Sequence, residues 1–149
     1  MVEKEKQIKL IECPRDAMHG WKKFIQTKKK IEYINQLLQV GFDTIDFGSF
    51  VSHKAIPQMA DTKNVLENLS NPDNNTKLWA IVANVRGADE AAQDDAINYI
   101  GFPFSISSTF QFRNTNSTIE QSLQTVKKIK RISGEKQKPV VYISMAFGN

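Results

Sequence analysis

Lys77-Leu78-Trp79-Ala80-Ile81-Val82-Ala83 decides the fold. The run is almost continuously apolar, which is how a parallel strand covered on both faces reads; a strand with one wet face would alternate instead. Outward from it, strand and helix signals alternate in both directions. Upstream, residues 44–47 form a strand, and the long connection after it carries Ser49 to Met59 and a short helix around Val65, Leu66 and Leu69. Before that strand lies a helix with Thr27 as its cap and Lys28 to Lys30 in solvent. Ile31, Ile34, Leu37 and Leu38 recur along it at helical spacing, and Gly41 stops it. A first strand covers residues 8–13, and Pro14 ends it because proline has no backbone donor for a continuing ladder.

Downstream, residues 87–95 carry a weak helix and residues 99–104 a fourth strand. Ile119, Leu123, Val126, Ile129 and Ile132 mark an amphipathic helix opened by Ser117 or Thr118, with Glu120 or Gln121 behind. Val140 to Met145 supply a fifth strand. Such alternation implies a parallel sheet, either open and doubly wound or closed into a barrel. The open dinucleotide-binding form expects a glycine-rich turn after the first strand, and Cys13-Pro14-Arg15-Asp16-Ala17-Met18-His19-Gly20 stands there instead.

The chain has 149 residues, 40% hydrophobic and 24% charged, which suits one globular domain and not a disordered one. Its net charge is +4, but the lysines sit in short runs beside helical patterns, so no nucleic-acid partner is expected. One cysteine excludes an internal disulfide, and Met1 to Lys6 are charged without an apolar leader; a reducing, cytoplasmic setting is expected. The glycosylation-type patterns at Asn68, Asn74 and Asn116 then amount to Asn-rich composition. No stretch approaches membrane-spanning length, and no membrane partner is expected.

In a barrel of this kind the reacting groups stand at the C-terminal ends of strands. Arg15-Asp16 falls just past the first strand, Asp46 within the second, and Asn84 with Arg86 after the third. Read alone, Arg15-Asp16 is a surface turn with a weak ion pair. As one of a series around the same mouth, it has an active-site address.

Ile11 to His19, containing Cys13-Pro14-Arg15-Asp16, resembles the first-strand motif of the hydroxymethylglutaryl-CoA lyases. The block Ser49-Phe50-Val51-Ser52-His53-Lys54-Ala55-Ile56-Pro57-Gln58-Met59-Ala60-Asp61 is similar to that family's most distinctive signature. Asn84-Val85-Arg86-Gly87 resembles its third-strand motif. Ser105, Ser107, Phe110, Arg113, Asn114 and Asn116 echo its fourth-strand loop, and Tyr142 to Gly148 resemble its fifth strand. The likeness implies a (β/α)8 TIM-type barrel of which residues 1–149 hold about the first five strands, as the N-terminal part of one lyase domain.

The resemblance further implies cleavage of 3-hydroxy-3-methylglutaryl-CoA to acetyl-CoA and acetoacetate with a divalent cation, Mg2+ or Mn2+. It also implies an acyl-CoA partner, a homodimer at full length, and a place in leucine degradation and ketone-body formation. On the family's pattern Asp16 is a metal ligand, and Arg15 lies near the thioester oxygen, where a fixed cation stabilises an enolate. Asp46 stands where the family has a catalytic Glu; a structural Asp bound to backbone is the alternative. His19 replaces a Gln and keeps a donor for substrate, Ser49 and Ser52 shape the loop and bind substrate oxygen, and Asn84, at the same mouth, is a further substrate-binding residue. His53 replaces a Pro and is expected to be exposed, and Cys13 is expected to be buried packing. The family's paired metal-binding histidines and its cysteine-bearing mobile loop have no counterpart in this sequence. A fragment or truncated product, inactive and weakly folded alone, is therefore expected. A related Claisen-type acyltransferase or aldolase, and a non-enzymatic half-barrel, are the alternatives.

Overall fold

The computed structural model describes residues 8–70 and 75–148; the readings of Met1 to Lys6 and of Asn74 lie outside the described residues. Five strands, β1 (Ile11–Glu12), β2 (Thr44–Phe50), β3 (Lys77–Val82), β4 (Ile97–Ser105) and β5 (Lys138–Ser144), form one sheet in the order β1-β2-β3-β4-β5, every neighbouring pair parallel. Each crossover advances one strand in the same direction. A doubly wound sheet would reverse its order at some point; this one does not, which is the progression of a barrel wall.

Six α-helices make the crossovers: α1 (Pro14–His19), α2 (Thr27–Val40), α3 (Thr62–Glu67), α4 (Val85–Ala92), α5 (Ser108–Thr115) and α6 (Ile119–Ser133). Leu78, Ala80 and Val82 of β3 are buried with Ile34 of α2, Ala88 of α4 and Ile129 of α6 in the core between sheet and helices. Trp79 and Ile81 alternate with them and face the other way, into the concave interior.

Several local expectations change. β1 is only Ile11–Glu12, because the Leu10 N–H leaves the ladder to donate to Asp43 Oδ2 at 2.9 Å. Pro14 ends that strand by opening α1, where its missing N–H costs nothing. β2 runs on to Phe50, so Ser49 lies in the strand and not in the connection. Thr27 is the first helical residue of α2 and not its cap; its Oγ1 donates to Asp61 Oδ2 at 2.8 Å. Gly41 does end α2, at φ +88°, the left-handed stop that favours glycine. Residues 108–115, read as loop, form α5 with the Ser107 hydroxyl accepting from the Phe110 N–H. Thr118 and Gln121 close a reciprocal capping box on α6.

Lys30, expected in solvent, is 2% exposed. Its ammonium donates to Asp61 Oδ1 at 2.7 Å and to the Gln58 carbonyl, and sits 4.2 Å above the Phe24 ring. Gln58 in turn accepts from the Ile25 N–H at 3.1 Å and donates to the Trp21 and Lys23 carbonyls at 3.0 and 2.7 Å. These contacts clasp the segment between α1 and α2 to the 3-10 turn Pro57–Met59.

Candidate functional site

Pro14 starts α1 directly after β1, and that turn aims Arg15 back over the sheet. Its Nε–H donates to both oxygens of Asp46 at 3.2 Å, and its Nη2 donates to Asp46 Oδ2 at 2.6 Å. A fourth bond runs from Nη1 to Asp16 Oδ1 at 3.0 Å. Asp46 is fully buried in the middle of β2, whereas the Asp16 side chain is 71% exposed. One guanidinium therefore joins an enclosed carboxylate to an open one.

Burial pushes the Asp46 carboxyl above the usual range, and the hydrogen bonds and charge of Arg15 only partly pull it back. Burial also works against the Arg15 charge, but Asp46 outweighs it and holds the guanidinium protonated. Tyr142 of β5 interacts with the same pair; burial first, and then Asp46, drive its phenol far above its ordinary value. It is therefore a neutral hydroxyl at physiological pH.

Trp79 is in register with Asp46 and stacks on Tyr142, with ring centroids 4.9 Å apart and planes 11° from parallel. Its edge meets Tyr99 at 6.3 Å. The indole crosses β4 at Gly101, where a Cβ would lie 2.3 Å from Trp79 Nε1. Only glycine leaves room for that crossing. Trp79 Nε1 itself is buried without a hydrogen-bond partner.

The structure thus gathers Arg15, Asp16 and Asp46. Ser49 lies on β2, its N–H donating to Thr62 Oγ1 at 3.3 Å and its own Oγ buried without a partner. Asn84 spends its Oδ1 on the cap of α4, accepting from the Gly87 N–H at 2.9 Å. The Ser52 carbonyl accepts from the Ala55 and Ile56 N–H groups, and its side chain is exposed in the turn after β2. His19 ends α1 and lines a cleft of about 300 Å³ with Trp21, Phe24 and Ile56. His53 is exposed, as its loop position implied. Cys13, expected to be buried, is exposed. Trp79 and Tyr142 carry no functional signal in the sequence, since nothing in sequence spacing brings β3 and β5 together across β4.

No protein-family model matches the chain. The mitochondrial hydroxymethylglutaryl-CoA lyase of Arabidopsis thaliana is 32% identical over 145 residues, which cover 96% of this chain and 31% of that protein. An HMG-CoA lyase from Acinetobacter baumannii, solved in complex with coenzyme A and 3-methylmalate, superposes with a TM-score of 0.87 at 31% identity, over 94% of this chain and 46% of that one. Both of these proteins, to which the chain is similar, are HMG-CoA lyases. Another, from Pseudomonas aeruginosa, is named a 3-hydroxy-3-isohexenylglutaryl-CoA/hydroxymethylglutaryl-CoA lyase and is 32% identical over 96% of this chain and 48% of its own length. The chain therefore spans less than half the length of these lyases, and its five parallel strands are an incomplete barrel of their α/β fold.

A divalent cation needs several hard oxygen ligands. Asp46 is committed to Arg15, and among the described residues no group of three or more His, Cys, Asp or Glu side chains converges on a point. Asp16 alone does not make a metal site, so the described residues do not fit a cation by themselves.

Proposed function

We propose that this chain carries the Arg15–Asp46 part of a carbon-carbon lyase site acting on 3-hydroxy-3-methylglutaryl-CoA, in a reducing, cytoplasmic setting. The observation that carries the reading is the guanidinium fixed on a buried carboxylate where β1 ends, in a chain whose homologues are HMG-CoA lyases.

The reaction removes the proton from the 3-hydroxyl and breaks the bond between C2 and C3. The O–H electrons become the ketone of acetoacetate, and the C2–C3 pair becomes the enolate of acetyl-CoA, which takes up a proton at C2. Asp46, held above the ordinary carboxylate range, suits a base that accepts a proton and does not release it too readily. Arg15 provides positive charge already oriented, so that little reorganisation is needed as the enolate oxygen becomes negative. Asp16, the exposed carboxylate beside them, is a candidate ligand for Mg2+ or Mn2+.

The test is acetoacetate release from 3-hydroxy-3-methylglutaryl-CoA by the protein isolated from its native source, with Mg2+ or Mn2+ supplied. Release is expected, and Arg15→Ala should lower kcat by about 100-fold or more. No release from the native protein with either ion would overturn the reading. A second reading, a non-enzymatic half-barrel that associates through its edges, is favoured by Val141 and Ile143 of β5, which are 39% and 59% exposed. Association without turnover would support it.

A further inference from the structure

The geometry points to the Trp79 indole, backed by Tyr142, as the wall that limits the 3-alkyl branch of a 3-hydroxyglutaryl thioester to about the size of a methyl group. The inference rests on the proposed lyase reading and deepens it by naming the substrate's allowed shape.

Three independent observations converge on Trp79. It is the register partner of Asp46, so its side chain leaves the sheet beside the carboxylate that would meet the substrate's hydroxyl-bearing carbon. It does not stay over β3: the ring crosses Gly101 and stacks face to face on Tyr142, and that ring also borders the Arg15–Asp46 pair. It is held on its edge by Tyr99 and is 7% exposed, so the ring has little freedom to swing aside. On this inference, a substrate branch pointing from Arg15–Asp46 into the interior would be stopped by the stacked Trp79–Tyr142 pair. Branch length is also where the named relatives differ, since the Pseudomonas aeruginosa lyase carries both a short and a long branch in its name.

A hydrophobic pocket discriminates by roughly tenfold or more for each methylene it admits or rejects. The experiment compares the native protein with Trp79→Ala and Trp79→Phe on the CoA thioesters of 3-hydroxy-3-methylglutarate and 3-hydroxy-3-butylglutarate. Turnover is followed by kcat/KM and binding by calorimetry, with a thermal melt to confirm that each variant folds. The native protein should prefer the methyl compound in both measurements. Trp79→Ala should move the butyl-to-methyl ratio at least about tenfold toward butyl, and Trp79→Phe should move it less. Should Trp79→Ala fail to fold, the Phe variant still decides: an unchanged ratio in both measurements overturns the inference. Selective binding without turnover would sink the lyase reading and leave the wall in place. Turnover with no preference between the two branches, or binding of neither, would sink the wall.

Discussion

Arg15 and Asp46 depend on each other: the guanidinium is the counter-charge of a fully buried carboxylate. Removing the guanidinium leaves a carboxylate with 0% exposure and no counter-charge, a change that typically costs about 3–5 kcal/mol. Arg15→Ala should therefore lose stability on that scale in urea unfolding, and a loss under about 1 kcal/mol would mean that the interior relaxes around Asp46. Titration gives a second check. Asp46 is shifted upward in the fold, so its neutral form is favoured there. The resulting stabilisation is complete below the ordinary value of 3.8 and is lost as the pH rises through the higher folded value. The native chain should accordingly lose stability relative to Asp46→Asn across that window, and a pH-independent difference would refute the shift. Arg15 was legible in sequence because a strand end in a barrel is an address, and Asp46, inside β2, because its block resembles the lyases' motif. Trp79 was not, because its meaning arises only when β3 and β5 are folded over the gap at Gly101.

Among the elements, the clasp between α2 and the turn Pro57–Met59 explains why part of the most distinctive sequence block reads as it does. Gln58 and Asp61 hydrogen-bond to backbone and to a buried ammonium. Asp61→Ala strands Lys30 in the interior and should cost about 3–5 kcal/mol, while Lys30→Met combined with Asp61→Asn should recover most of it. A double-mutant cycle in urea measures the coupling, and additive losses would remove the clasp from the account. At the other end of the chain, Thr118→Ala should cost about 1 kcal/mol by opening the α6 capping box, read as a lower denaturation midpoint. The long periodic helices α2 and α6 and the apolar strand β3 were readable because their patterns run for many residues. α1 and α5 were missed for a local reason: each is short, and its residues were absorbed into motifs read as loop. Lys30 was misread because a lysine in a basic run looks solvated until its partner, 31 residues away, is placed beside it.

For the molecule as a whole, the sheet has two bare parallel edges, β1 and β5, among the described residues. Exposed Val141 and Ile143 on one, and Leu10 and Ile11 at the other, make those edges apolar as well as unpaired. The 149-residue chain should therefore associate with rising concentration in sedimentation velocity, and Ile143→Lys should weaken that association; a monomer at all concentrations would show the edges to be inert. The strand order behind this prediction was legible as alternation, but the one-way progression that separates a barrel wall from an open sheet was visible only in the pairing. The two tryptophans carry a consequence of their own. Trp21 is 57% exposed in the segment that the clasp holds, and Trp79 lies in the interior. Their fluorescence should divide into a water-facing, red-shifted component and an enclosed, blue-shifted one. Loosening of the clasp and opening of the barrel wall would then appear at different wavelengths in a single unlabelled sample.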